Sequence, residues 1–187
     1  MSLDALRATL PAYAKDISLN LSSLVNDTTL NDQQKWGCIV ASAHAVGVAP
    51  VIRAAEADAR LSPEALTAAK GAAAVMAMNN VYYRALHLIS NPEYRSMRAG
   101  LRMNLIANPG VPKADFELWS LAVSAVNGCG MCLDSHEAEL KTHGVPSAQI
   151  QAALKIAAVV NAVAAVVRAE TAAGSRDLPL EAVPVAA

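Results

Sequence analysis

Two cysteines three residues apart, with a histidine four residues further on, occupy the stretch "NGCGMCLDSH" at positions 127 to 136. Such a grouping serves a metal clamp, a redox dithiol, or merely the packing of a helical core. On a helix that begins near residue 129, Cys129, Cys132 and His136 lie one turn apart and share a face. The partial positive charge of the helix N-terminus favours thiolate over thiol, and a nearby imidazole adds to that or accepts the thiol proton. The C-x-x-C spacing also permits a small disulfide.

A carboxylate enters by geometry. The helices on either side of the turn at Asn127 form an antiparallel hairpin. Ten residues back from the turn stands Glu117, and ten forward stands Glu137, next to His136. Glu117 lies in the otherwise apolar segment "FELWSLAV", where an ionised carboxylate needs a partner. A Glu117–His136–Cys132 proton relay follows, in which Glu117 orients and charges His136 and His136 activates Cys132. The apparent pKa values then belong to the coupled set. The plain alternatives are two buried cysteines acting as small hydrophobes and Glu117 as a surface carboxylate.

Zinc is the sharper rival, because C-x2-C-x3-H offers three ligands where a closed site wants four. His143 is a possible fourth, although the C-terminal end of a helix explains it more simply. Cys38, in "WGCIVASA", reads as core. His44 and His87 each stand alone in a helix and read as structural. Met76, Met78, Met97, Met103 and Met131 read as gap-filling, and Tyr82, Tyr83 and Arg84 as a surface or subunit contact. No phosphate loop, dinucleotide fingerprint or serine triad is present.

The elements that must position these residues are all helical. Apolar residues at Leu3, Leu6 and Leu10 open an amphipathic helix that Pro11 interrupts. A second helix covers 31–46 and stops at Gly47, Pro50 starts a third, and Ser62 with Pro63 caps a fourth. The segment 64–89 is helical, with a break expected at Asn79–Asn80. "SNPEYRSMRAG" reads as a loop, "LRMNLIA" as a short helix and "NPGVPK" as a loop. Helices then cover 115–126, 131–143 and 147–173, the second closed by Gly144. No segment alternates with period two, so the expected fold is all-α. One domain spans 1–173, with the C-x-x-C unit at 113–145 and a loose tail at 174–187. "KWGCIVASA" (35–43) echoes "LWSLAVSAV" (118–126), and "LTAAKGAAAV" (66–75) echoes "IQAALKIAAV" (150–159). Two related helical halves would explain both echoes, with a dithiol only in the second.

Composition narrows the partners. The 187 residues carry a formal net charge of −1, which argues against nucleic acid. Hydrophobic residues make up 54% and aromatics only 4%, with alanine supplying much of the total, as suits closely packed helices. Three cysteines do not make a secreted disulfide scaffold. The N-terminus lacks the pattern of a signal peptide, and the apolar run 156–167 spans about 18 Å as a helix, short of the roughly 30 Å of a membrane core. A cytoplasmic location without membrane attachment is expected.

A redox dithiol built wholly on helices is a narrow class, because thioredoxin-type motifs follow a strand. The run "GLRMNLIANPGVPKADFELWSLAVSAVNGCGMCLDSHE", with "LPAYAKDISLNLSSL" and "GAAAVMAMNNVYYR", resembles the alkyl hydroperoxide reductase AhpD family. The resemblance implies the carboxymuconolactone decarboxylase type of helical fold, assembled as a homotrimer. It further implies slow direct reduction of organic hydroperoxides and reduction of the oxidised peroxiredoxin AhpC. Electrons would come from dihydrolipoamide on a lipoylated 2-oxo-acid dehydrogenase component, recharged by lipoamide dehydrogenase, with no cofactor bound in the chain. Carried over, Cys132 forms the sulfenic acid, Cys129 resolves it to the disulfide and donates a proton, and Glu117 and His136 relay protons. Met131 stands where some relatives carry histidine, which removes a second imidazole from the dithiol. The decarboxylase branch of the fold is an alternative activity, though it lacks this dithiol in its usual form.

Overall fold

In the computed structural model, which describes residues 1–174, helices account for the regular structure, and no strand occurs among those residues. In chain order they are α1 (Leu3–Ala8), α2 (Lys15–Asn26), α3 (Asp32–Val46), α4 (Ala49–Asp58), α5 (Pro63–Leu88), α6 (Glu93–Ser96), α7 (Asn104–Ala107), α8 (Lys113–Asn127), α9 (Gly130–Thr142) and α10 (Ser147–Ala172). The expected tail lies, from residue 175 onward, outside the described residues.

Helices α3 and α8 pack against each other at the centre, and α5 and α10 flank both. All residues from Lys35 to Ala43 and from Asp115 to Ser124 are buried. A helix enclosed on every side needs small or apolar residues all round rather than a stripe. Alanine, serine and glycine meet that need by letting axes approach closely. At Gly37 the approach is extreme: a Cβ there would lie 2.0 Å from Cε2 of Trp119. Trp119 is itself fully enclosed and donates from Nε1 to the carbonyl of Gln34 at 3.2 Å. Gly37→Ala is therefore expected to cost about 2–3 kcal/mol by overpacking, read as a fall in Tm of roughly 5–10 °C in thermal denaturation. An unchanged Tm would contradict this packing.

Most boundaries follow local chemistry. Asn31 and Gln34 close a capping box on α3, and Ser62 Oγ accepts from the Ala65 amide with Pro63 in the first turn of α5. Gly47 and Gly128 end α3 and α8 in the left-handed region, with φ of 69° and 68°. Two expectations fail. Helix α5 runs unbroken through Asn79–Asn80, because tertiary hydrogen bonds satisfy the second amide. Asn80 Nδ2 donates to Ser124 Oγ at 2.9 Å, and Asn127 Nδ2 donates to Asn80 Oδ1 at 2.9 Å. The expected loop after α5 contains one helical turn, α6, held by Arg95, whose guanidinium donates to the carbonyls of Leu86 and His87.

The chain contains two three-helix units. Helices α3, α4 and α5 have 15, 10 and 26 residues, and α8, α9 and α10 have 15, 13 and 26. The helix starts are offset by 81 residues for the first two pairs and 84 for the third. The echo between 35–43 and 118–126 thus stands two residues out of register with the helices that carry it. At the true offset, Cys129, Cys132 and His136 correspond to Val48, Val51 and Ala55, all three buried. Only the second unit carries the reactive set.

Helix α10 is, by length and composition, long and apolar enough to cross a membrane, so the 12-residue run understated it. Its apolar positions Ile150, Ile156, Val160, Val163 and Val167 are buried against the rest of the protein, chiefly α3, α8 and α2. It is a core helix.

Candidate active site

The hairpin of α8 and α9 builds the site. After Gly128 turns the chain, Cys129 is the N-cap of α9, and its Sγ accepts from the Cys132 amide at 3.3 Å. Cys129 and Cys132 are joined by a disulfide, with Cα atoms 5.3 Å apart. The two cysteines differ in access. Cys129 has no exposed surface, whereas Cys132 is 7% exposed and lines a cavity of about 500 Å3.

One turn beyond Cys132, His136 faces α8. Its Nδ1 lies 2.6 Å from Glu117 Oε2, and Lys113 Nζ lies 2.8 Å from Glu117 Oε1. The hairpin reading brought Glu117 and His136 together correctly, and the surface reading of Glu117 fails because every face of α8 here is buried. Burial pushes the Glu117 carboxyl up, but hydrogen bonds from His136 and Lys113, aided by their charges, outweigh it and hold the carboxyl below its ordinary value of 4.5. Glu117 is therefore an anion at neutral pH, and the proton of the shared hydrogen bond sits on His136 Nδ1.

The far side of the ring was not anticipated. His136 Nε2 lies 3.3 Å from Met76 Sδ on α5. A thioether only accepts, so Nε2 donates to it when the ring is doubly protonated. In the singly protonated ring the Nε2 lone pair is free for an arriving thiol proton. Neither hydrogen bond of His136 is to a cysteine sulfur in this disulfide form.

One member of the site was legible but not read. Lys113 stands four residues before Glu117, the spacing of a helical ion pair. Its ammonium also donates to the Ile106 carbonyl at 2.8 Å, tying α7 to the site. Met76 gave no signal beyond its place in an apolar helix. Met103 and Met131, read as filler, and Tyr83, read as a surface contact, all line the cavity.

The other candidates fall outside it. Cys38 is wholly buried, and its thiol is pushed well up by desolvation and, to a lesser degree, by the charge of Asp115. His44 pairs with Glu56 at 2.7 Å, and Lys70 pairs with the same carboxylate at 2.8 Å. His87 is exposed. His143 caps the end of α9 and meets Glu139 at 3.2 Å, away from the dithiol. Among the described residues no group of three or more His, Cys, Asp or Glu side chains could hold a metal ion.

Comparison with known proteins gives the same direction. The profile of the carboxymuconolactone decarboxylase family matches residues 92–174, which include α8, α9 and α10. A protein from Hyphomonas neptunium, alkyl hydroperoxide reductase AhpD, is 67% identical over 174 residues, 92% of this chain and 97% of its own length. The chain belongs to the alkyl hydroperoxide reductase AhpD family. Its similarity to the proteins of that name from Maricaulis maris (65% identical, 91% of this chain and 100% of the other) and Streptomyces avermitilis (60%, 91% and 97%) is just as extensive. The family resemblance in the sequence is thereby established, and the all-helical fold agrees with it.

Proposed function

We propose that the chain is a peroxide-reducing dithiol enzyme that takes alkyl hydroperoxides and regenerates the peroxiredoxin AhpC with electrons from dihydrolipoamide. The observation that carries this reading is the unequal access of the two cysteines. Cys132 meets the cavity and Cys129 lies behind it, the arrangement of an attacking and a resolving thiol. The names of the relatives, alkyl hydroperoxide reductase AhpD, support the reaction class.

The cycle uses this chain's residues in order. The Cys132 thiolate attacks the terminal peroxide oxygen, the O–O bond breaks, and the alkoxide leaves as alcohol after taking a proton. Cys132 is left as sulfenic acid, and Cys129 displaces water from it to close the disulfide. Dihydrolipoamide opens the disulfide by exchange through a mixed disulfide. With AhpC the reduced dithiol attacks the partner's disulfide instead. Glu117 holds His136 in the tautomer whose Nε2 accepts the Cys132 proton, and the charged ring then returns that proton to the leaving alkoxide. Lys113 keeps Glu117 ionised throughout. The chain's own chemistry uses no metal or nicotinamide.

A cytoplasmic location and a homotrimer belong to the same proposal. Exposed Val81, Leu88, Ile89, Tyr94 and Met97, from α5 to just past α6, supply apolar surface for subunit contact.

The test is a coupled assay of the full chain with lipoamide, lipoamide dehydrogenase, NADH and cumene hydroperoxide. Chain-dependent NADH oxidation that saturates with lipoamide is expected. Peroxide-insensitive thiols under these conditions would overturn the assignment.

A further inference from the structure

The cavity at Cys132 contains a buried polar group that the cycle above leaves without a task. Asn79, on α5, lines this cavity and is only 5% exposed, yet its Oδ1 is buried with no hydrogen-bond partner. Its neighbour Asn80, by contrast, is fully engaged with Ser124 and Asn127. Lys113 is committed to Glu117 and the Ile106 carbonyl and His136 to Glu117 and Met76, and neither of the hydroxyls that line the cavity, Tyr83 and Ser135, bonds to Asn79 Oδ1. A buried amide carbonyl without a donor is costly, and such groups in folded proteins call for a ligand, water or functional explanation.

Resting on the peroxidase reading, we infer that Asn79 is the residue that anchors the hydroperoxide. A turn of the Asn79 amide about its last torsion, which is broad and roughly two-fold, brings Oδ1 to the cavity. There the terminal O–H of the substrate donates to it, while the alkyl group lies against Met103, Ile106 and Tyr83 on the apolar wall. This holds the terminal oxygen toward Cys132 and turns the alkoxide side toward His136. As the S–O bond forms and the O–O bond breaks, the hydrogen stays on the transferred oxygen. The same Oδ1 therefore accepts from the hydroperoxide before the step and from the Cys132 sulfenic acid after it. Reduction of the disulfide by a small dithiol delivers no O–H group and makes no use of Asn79.

That asymmetry gives the test. The reduced full-length protein and Asn79→Leu, close to isosteric and apolar, are followed by stopped flow in two separate limbs, oxidation by cumene hydroperoxide and, from the disulfide form, reduction by 1,3-propanedithiol, which carries no hydroxyl. The expected result is a fall of about tenfold or more in the second-order oxidation constant, with the reduction constant within about twofold and a Tm equal to or above the parent's, since an unsatisfied buried amide has been removed. Asn79→Ala serves if the leucine variant does not fold. An unchanged oxidation constant, or equal losses in both limbs, overturns the role of Asn79. A parent protein that reacts with 1,3-propanedithiol but not with peroxide overturns the peroxidase reading itself, and this inference with it.

Discussion

Replacing Cys132 with serine is expected to lower peroxide turnover by about a thousandfold or more, while the fold and Tm stay near the parent values. Serine is nearly isosteric, but its hydroxyl is far from ionised at neutral pH and does not attack a peroxide oxygen. Cys129→Ser should behave differently. With Cys132 still facing the cavity, the first oxidation proceeds and stops at the sulfenic acid, giving one turnover and no disulfide. This contrast depends on the unequal burial of the two cysteines, 0% against 7%. Equal single-turnover reactivity of the two variants would mean that access does not decide which sulfur attacks. Stopped flow with cumene hydroperoxide distinguishes the cases.

The second large effect concerns the proton relay. Glu117→Gln and His136→Phe are each expected to slow peroxide turnover at least about tenfold, because each removes the means of placing a proton at His136 Nε2. Wild-type rates in both variants, at unchanged fold, would sink the relay. Glu117 also makes a pH prediction. Its carboxyl is held below its ordinary value of 4.5 in the folded chain, so it stabilises the fold in full above that value. The contribution is lost as the pH falls from about 4.5 through the lower folded value. Glu117→Gln has no such carboxylate and should show a shallower loss of Tm on acidification across that window. Parallel Tm–pH curves for parent and variant would contradict the ion pair with Lys113 and His136.

What was legible in the sequence follows a physical rule. Helix ends were readable because their chemistry is local: Ser62 with Pro63, and glycines at 47, 128 and 144 that alone accept positive φ at little cost. The Glu117–His136 pairing was readable because a tight turn fixes the heights of two antiparallel helices. Helix phase, the weak point of such reasoning, did not matter, since α8 is buried on all sides. What failed depended on distant partners. Asn79–Asn80 resembles a helix break until Ser124 and Asn127 are brought against it. Met76 could not be assigned to His136 from 60 residues away. Of the two internal echoes, the one at an offset of 83 stands two residues from the helices that carry it, because alanine-rich segments align almost equally well in several registers, while the one at 84 keeps the offset of α5 and α10.

The central claim is that Cys129 and Cys132 form a dithiol that cycles between peroxide and dihydrolipoamide. Intact-protein mass spectrometry after thiol alkylation tests it most directly. The reduced chain is treated with one equivalent of cumene hydroperoxide, then with dihydrolipoamide, each step quenched by the alkylating reagent. The account predicts that peroxide protects both thiols from alkylation with a loss of two hydrogens, and that dihydrolipoamide restores both. Two thiols that stay alkylatable after peroxide, with zinc retained under native spray, would contradict it and make the pair a metal clamp.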